Sequence, residues 1–248
     1  MKFAVFISFL AGISTVLGSL ILFFKFNSKD KIIACSLAFA SGVMVSVSLF
    51  DLIPSSITGL NKMFQLFPSI IIGLIFIIIG IILSLSINKY LPDFNNKKEG
   101  KLYKLGIFSM IAIILHNVPE GIATFLTTSE NTKLGISLAL AIALHNIPEG
   151  ISISIPIYFS TNSKFKAILY TFISGISEFL GAIIAFSFFS SISSTIFLDV
   201  LYSLIAGIMI SLSLDELFPN SFRYGNKINS FFYLLIGFFF MLLVHFFI

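Results

Sequence analysis

Apolar residues run along this chain in eight stretches of about twenty, separated by short polar segments. The stretches lie near 3–24, 32–53, 69–89, 105–126, 134–157, 166–189, 197–218 and 229–247. A helix of that length crosses the hydrocarbon core of a bilayer. The pattern therefore predicts an all-α integral membrane protein with eight transmembrane helices. Between the first two runs lies a basic loop over 25–31. The longest polar segment, 88–104, holds Pro92, Asp93, Asn95, Asn96, Lys97, Lys98, Glu99 and Gly100 and reads as a flexible linker. A short loop over 127–133 separates the fourth and fifth runs, and a serine-rich loop with Ser190, Ser191, Ser193 and Ser194 precedes the seventh.

Two internal repeats organise these runs. Leu-His-Asn-Val-Pro-Glu-Gly over 115–121 returns as Leu-His-Asn-Ile-Pro-Glu-Gly over 144–150. A second repeat relates the end of the second run to that of the seventh. Gly42, Met44, Ser46, Ser48 and Pro54 fall in register with Gly207, Met209, Ser211, Ser213 and Pro219. The second run crosses in one direction and the seventh in the other, so these copies have opposite topology. The expected architecture is 3+2+3: helices 1–3 over about 3–89, a loop over about 90–104, helices 4–5 over about 105–157, and helices 6–8 over about 166–247. Inverted repeats around a polar midplane site are a construction plan of secondary transporters.

Composition agrees with the membrane reading. The chain is 57% hydrophobic and 10% charged, against roughly a quarter charged in soluble domains, and its mean hydropathy is +1.06. The net charge of +4 reflects topology rather than a nucleic-acid partner. With eight spans, one face collects twelve of the fifteen Lys and Arg residues, while the other holds Lys2, Lys62 and Lys133. Basic loops stay in the cytoplasm, so both termini are expected outside it, in a multi-pass protein of the plasma membrane. Lys2 and the following apolar run read as a retained first helix rather than a cleaved signal. Cys35 is the sole cysteine, which excludes an intrachain disulfide and a thiolate metal cluster.

The chemistry sits in the repeated motif. On a helix, His116, Asn117 and Glu120 share one face, as do His145, Asn146 and Glu149. Pro119 and Pro148 deprive the Leu115 and Leu144 carbonyls of their usual partners and are expected to kink the helices. Ionisable groups at this depth are functional candidates by default. Glu178, halfway along the sixth run, joins them. Imidazole with carboxylate and amide oxygen suits Zn(II), Fe(II), Mn(II), Co(II) or Cd(II), and is too rich in nitrogen for a Mg(II) or Ca(II) cage. Glu120 and Glu149 each offer two oxygens, so the set has room for one metal position or for two adjacent ones that share them. One uses His116, Glu120, His145 and Glu149; the other uses Asn117, Asn146, the same two glutamates and Glu178. Asp51, Asp215 and Glu216 lie near the membrane interfaces and are candidate pathway residues. Asp199 and His245 receive no role.

The paired His-Asn-x-Pro-Glu-Gly motifs resemble the ZIP (Zrt-, Irt-like protein) family of divalent metal transporters, especially its bacterial zinc uptake branch. The resemblance covers the whole chain and departs at Phe179, where the family usually has proline after the helix-6 glutamate. It implies His116, Glu120, His145 and Glu149 as the primary metal site, Asn117, Asn146 and Glu178 as the second, metal entry into the cytoplasm by sliding of the site-bearing helices, and the homodimer that many members form. The expected function is a permease carrying divalent metal ions, zinc foremost, past Asp51 to the site and out past Asp215 and Glu216. The metal is cargo, no cofactor is called for, and the lipid bilayer is the surrounding partner. The rival readings are an intramembrane zinc-dependent hydrolase, disfavoured by the lack of a His-Glu-x-x-His motif, and a proton or monovalent-cation channel, disfavoured by the inverted repeats.

Overall fold

A computed structural model describes residues 1–92, 94, 97–188 and 195–247. Asp93, Asn95 and Asn96 of the expected linker, and the serines of the loop before the seventh span, lie outside the described residues. Among the described residues, eight helices are long and apolar enough to span a membrane: α1 (Lys2–Phe23), α2 (Lys29–Asn61), α3 (Leu66–Tyr90), α4 (Lys98–Glu130), α5 (Thr132–Thr161), α6 (Lys164–Ser187), α7 (Ile196–Tyr224) and α8 (Lys227–Phe247).

Several helices run longer than their apolar cores, because polar residues cap and extend them. The 33 residues of α4 make a helix of about 50 Å, well beyond the roughly 30 Å hydrocarbon thickness. The expected loop over 127–133 shrinks to Asn131. Its side-chain oxygen accepts from the N–H groups of Lys133 and Leu134, at 3.1 and 3.3 Å, so one residue both ends α4 and caps α5. The expected linker over 88–104 is also shorter, since α3 runs to Tyr90 and α4 begins at Lys98. Ser28 and Ser163 cap α2 and α6 through their hydroxyls. Asn162 closes α5 in the left-handed region, at φ 53°, a conformation its short amide tolerates.

The second sequence repeat has a structural counterpart. Both α2 and α7 widen by one residue per turn, over Ser48–Leu52 and Leu212–Leu217, shortly before Pro54 and Pro219. A proline lacks the N–H that its helix expects and crowds the carbonyl four residues back; the wider turn absorbs that misfit without breaking the span. The helices expected to end near Pro54 and Pro219 therefore continue to Asn61 and Tyr224.

Packing divides the helices into two groups. α1, α4, α5 and α6 pack mainly on one another, and α2, α3, α7 and α8 do likewise, with α2 also touching α5. Glycines set the closest approaches. Gly42 of α2 meets the Leu234 carbonyl of α8, and Gly237 of α8 meets the Phe39 carbonyl of α2. Gly80 of α3 meets the Leu204 carbonyl of α7, and Gly207 of α7 meets the Ile77 carbonyl of α3. A Cβ at any of these points would overlap backbone, so only glycine permits the contact. Every such close glycine approach joins helices of the same group; none joins the two groups among the described residues.

Candidate metal centre

Helices α4 and α5 lie side by side and bring the two motif copies face to face. The imidazoles of His116 and His145 stand with ring centres 6.0 Å apart. Glu120 reaches between them: its Oε1 is 3.2 Å from His116 Nε2 and 3.0 Å from His145 Nε2. Glu149 Oε1 approaches His116 Nε2 at 3.5 Å. Ligand atoms of His116, His145 and Glu149 all fall within 4.8 Å of one another. Ligands held at 2.0–2.1 Å around a tetrahedral zinc are about 3.3 Å apart, so small side-chain rotations close this group on an ion.

All four residues are buried, with exposures of 5% or less. Their hydrogen-bonding capacity is largely unused. Both nitrogens of His116, Nδ1 of His145, Oε2 of Glu120 and both oxygens of Glu149 have no hydrogen-bond partner. Burying polar atoms without partners costs about 1–3 kcal/mol each, and more when they are charged. A bound cation removes that cost for several of them at once.

The residues expected at the second position adjoin the first. Asn146 Nδ2 donates to Glu178 Oε2 at 2.9 Å and to the Ala11 carbonyl of α1 at 3.0 Å. Asn117 Nδ2 donates to the Ser174 carbonyl of α6, one turn before Glu178, at 3.2 Å. These bonds turn the amide nitrogens toward α1 and α6 and leave Asn117 Oδ1, Asn146 Oδ1 and Glu178 Oε1 buried and unpartnered. Phe179, in place of the family's proline, leaves α6 unbroken and packs edge-on against Phe9 of α1 at 5.5 Å. The carboxylate of Glu178 nevertheless meets the motif through Asn146.

Pro119 and Pro148 sit inside helices that run on without a break. Gly121 and Gly150, one turn beyond His116 and His145, receive neighbouring backbones: the Glu178 carbonyl meets Gly121 and the Thr15 carbonyl meets Gly150.

The pathway candidates separate. Asp51 lines a cavity of about 150 Å³ that also touches Glu120 and His145. The cavity lies between the two helix groups, with Leu52, Tyr202 and Met241 on one wall and Ala123 and Ile142 on the other. Asp215 and Glu216 do not join the cluster. Asp215 accepts from Ser211 Oγ at 3.0 Å, and Glu216 accepts from Asn88 and Asn220, at 2.5 and 3.1 Å.

Three further residues carried no signal of their placement in the sequence. His245 Nδ1 lies 2.5 Å from Asp51 Oδ1, at the cavity end of α8. Tyr202 lines the cavity. Asp199 is buried against Gly59, with Oδ2 unpartnered. A histidine near the end of an apolar helix carries no local signal of a partner some two hundred residues earlier.

Comparison with known proteins places the chain in a family. The profile of the ZIP zinc transporter family matches residues 95–245. The chain belongs to the ZIP family. It is 37% identical over 227 residues to the zinc transporter ZupT of Streptococcus mutans, covering 87% of this chain and 86% of that one. It is 37% identical over 246 residues to the ZupT of Clostridium perfringens, at 88% and 86% coverage. With the ZupT of Campylobacter jejuni the identity is 32% over 268 residues, at 94% and 92% coverage. This ZIP chain is thus a multi-pass membrane protein from a family of transporters, not enzymes.

Proposed function

We propose that this ZIP protein is a permease that carries zinc across the plasma membrane into the cytoplasm through the site between α4 and α5. The observation that carries the proposal is the buried set of unpartnered nitrogen and oxygen atoms on His116, Glu120, His145 and Glu149. Two imidazoles and two carboxylates without a thiolate give zinc good ligands but not the closed cysteine cage of a structural site. An ion held this way can leave. Fe(II), Mn(II), Co(II) and Cd(II) fit the same donors and are the expected secondary substrates. Asn117, Asn146 and Glu178 supply the second, adjoining position.

The two helix groups supply the means of movement. One group, α1 with α4, α5 and α6, carries the site and is fastened internally by glycine–backbone contacts. The other, α2 with α3, α7 and α8, is fastened in the same way. The cavity at their boundary leads from Asp51 to the site. Metal enters by this route, and sliding of the site-bearing group against the other delivers it to the opposite face, past Asp215 and Glu216. The matched wide turns of α2 and α7 support the 3+2+3 inverted arrangement. The distribution of Lys and Arg supports cytoplasmic loops at the end opposite Asp51, with both termini outside. By analogy with the family, the assembly is a homodimer.

Zinc uptake into proteoliposomes, compared between the unaltered protein and its Glu120→Ala and His145→Ala variants, tests this reading. Saturable uptake lost in both variants is expected. Unchanged uptake in both would overturn the site assignment.

A further inference from the structure

We propose that Thr15 of α1 is a binding residue of the second metal position and the counterpart of Glu178, so that a carboxylate serves that position from either helix. The proposal rests on the metal-site reading above and extends it to a helix that carries no part of the repeated motif.

The contacts around the site occur in matched pairs. Gly12 of α1 and Gly175 of α6 each meet the other's carbonyl. Gly18 of α1 meets the Ile147 carbonyl of α5, and Gly181 of α6 meets the Val118 carbonyl of α4. Gly150 receives the Thr15 carbonyl, and Gly121 receives the Glu178 carbonyl. Asn146 donates to the Ala11 carbonyl, and Asn117 donates to the Ser174 carbonyl. One register accounts for every pair: 11 with 174, 12 with 175, 15 with 178 and 18 with 181 on α1 and α6, and 117 with 146, 118 with 147 and 121 with 150 on α4 and α5. An approximate two-fold relation between the two halves of this helix group therefore puts Thr15 where Glu178 stands in the other half.

Thr15 is placed for that role by its own surroundings. It is fully buried, and its Oγ1 has no hydrogen-bond partner. A threonine inside a helix ordinarily bonds the carbonyl one turn back. For Thr15 that carbonyl is Ala11, which already accepts from Ser14 Oγ at 2.6 Å and from Asn146 Nδ2 at 3.0 Å. The hydroxyl is thereby left free. The two-fold relation maps the bonded pair Asn146 and Glu178 onto Asn117 and Thr15, and Asn117 Oδ1 is also buried and unpartnered. The same relation pairs the glycines that flank the two positions. Gly12 makes room beside the Cβ and Oε2 of Glu178, and Gly175 stands beside the Cβ of Thr15.

The test exchanges the carboxylate across the two-fold. Zinc binding to purified protein in detergent is measured by titration calorimetry for Glu178→Thr, for the double variant Thr15→Glu with Glu178→Thr, and for Thr15→Val and Thr15→Ser. Glu178→Thr should weaken zinc binding about tenfold or more, as expected for a lost charged contact. The double variant should recover most of that loss, which a purely structural role for Thr15 cannot produce. Thr15→Val, similar in shape but lacking the hydroxyl, should weaken binding several-fold, whereas Thr15→Ser should not. A folded double variant that binds no better than Glu178→Thr would overturn the proposal. If the double variant does not fold, equal binding by Thr15→Val and Thr15→Ser overturns it. Glu120→Ala in the same titration separates the two readings: wild-type binding by that variant means that the central site assignment has failed, not the placement of Thr15.

Discussion

Replacing Glu149 with glutamine should make the metal-free protein more stable and the zinc-bound protein less so. Glu149 is 1% exposed, neither of its carboxylate oxygens has a hydrogen-bond partner, and its nearest cationic candidate is His116 Nε2 at 3.5 Å. A buried carboxylate with no hydrogen bond and a single imidazole contact at 3.5 Å costs several kcal/mol, whereas a neutral amide lacking partners costs about 1–3 kcal/mol. The substitution should therefore raise metal-free stability by about 2 kcal/mol, or some 4–8 °C in Tm for a chain of this size. Zinc at a hundred times its Kd stabilises the unaltered protein by about 2.7 kcal/mol. Loss of one ligand that weakens binding tenfold removes about 1.4 kcal/mol of that gain. The assay is thermal unfolding in detergent with chelator and then with zinc. A metal-free Tm below that of the unaltered protein, or an undiminished zinc-induced rise, would refute the view of Glu149 as a carboxylate waiting for a cation.

Further outcomes follow from other contacts. Gly150→Ala should lower Tm by several degrees, because a Cβ there meets the Thr15 backbone and overpacking costs about 1–3 kcal/mol. Gly73→Ala, which meets only the Ser203 Oγ at 3.2 Å and an Ile57 side-chain carbon at 3.7 Å, should change Tm by less than half as much in the same assay. Asp51→Asn should raise the KM for zinc uptake several-fold while leaving equilibrium zinc affinity in detergent unchanged, since Asp51 borders the cavity rather than the cluster. Asn146→Ala removes the bonds to Ala11 and Glu178 and should weaken both zinc binding and thermal stability, the latter by about 1–3 kcal/mol.

Much of this was legible in the sequence, for physical reasons that also mark its limits. Hydrocarbon thickness sets a length that eight apolar runs satisfy, so the spans were readable. The motif at 115–121 and 144–150 was readable because polar residues in apolar helices stand out. Helix ends were not. Asn131 replaced an expected seven-residue loop because a single side chain caps a helix as well as a longer turn does, and composition does not show which will form. The wide turns before Pro54 and Pro219 were equally hidden, since proline alone predicts a break, not the adjustment that avoids one. Contacts between distant helices left the least trace. Nothing local ties His245 to Asp51, and Thr15 is an ordinary small residue until the carbonyls of Ala11 and Ser174 reveal its register with Glu178.

The central claim is that the paired motifs on α4 and α5 hold the metal directly. X-ray absorption at the zinc edge of the purified, zinc-loaded protein tests it without reference to transport. Imidazole scattering together with oxygen or nitrogen neighbours at about 2.0–2.2 Å and no sulfur shell is predicted, and the imidazole signal should fall in His145→Ala. A sulfur shell, an all-oxygen shell, or imidazole scattering unchanged in that variant would contradict it.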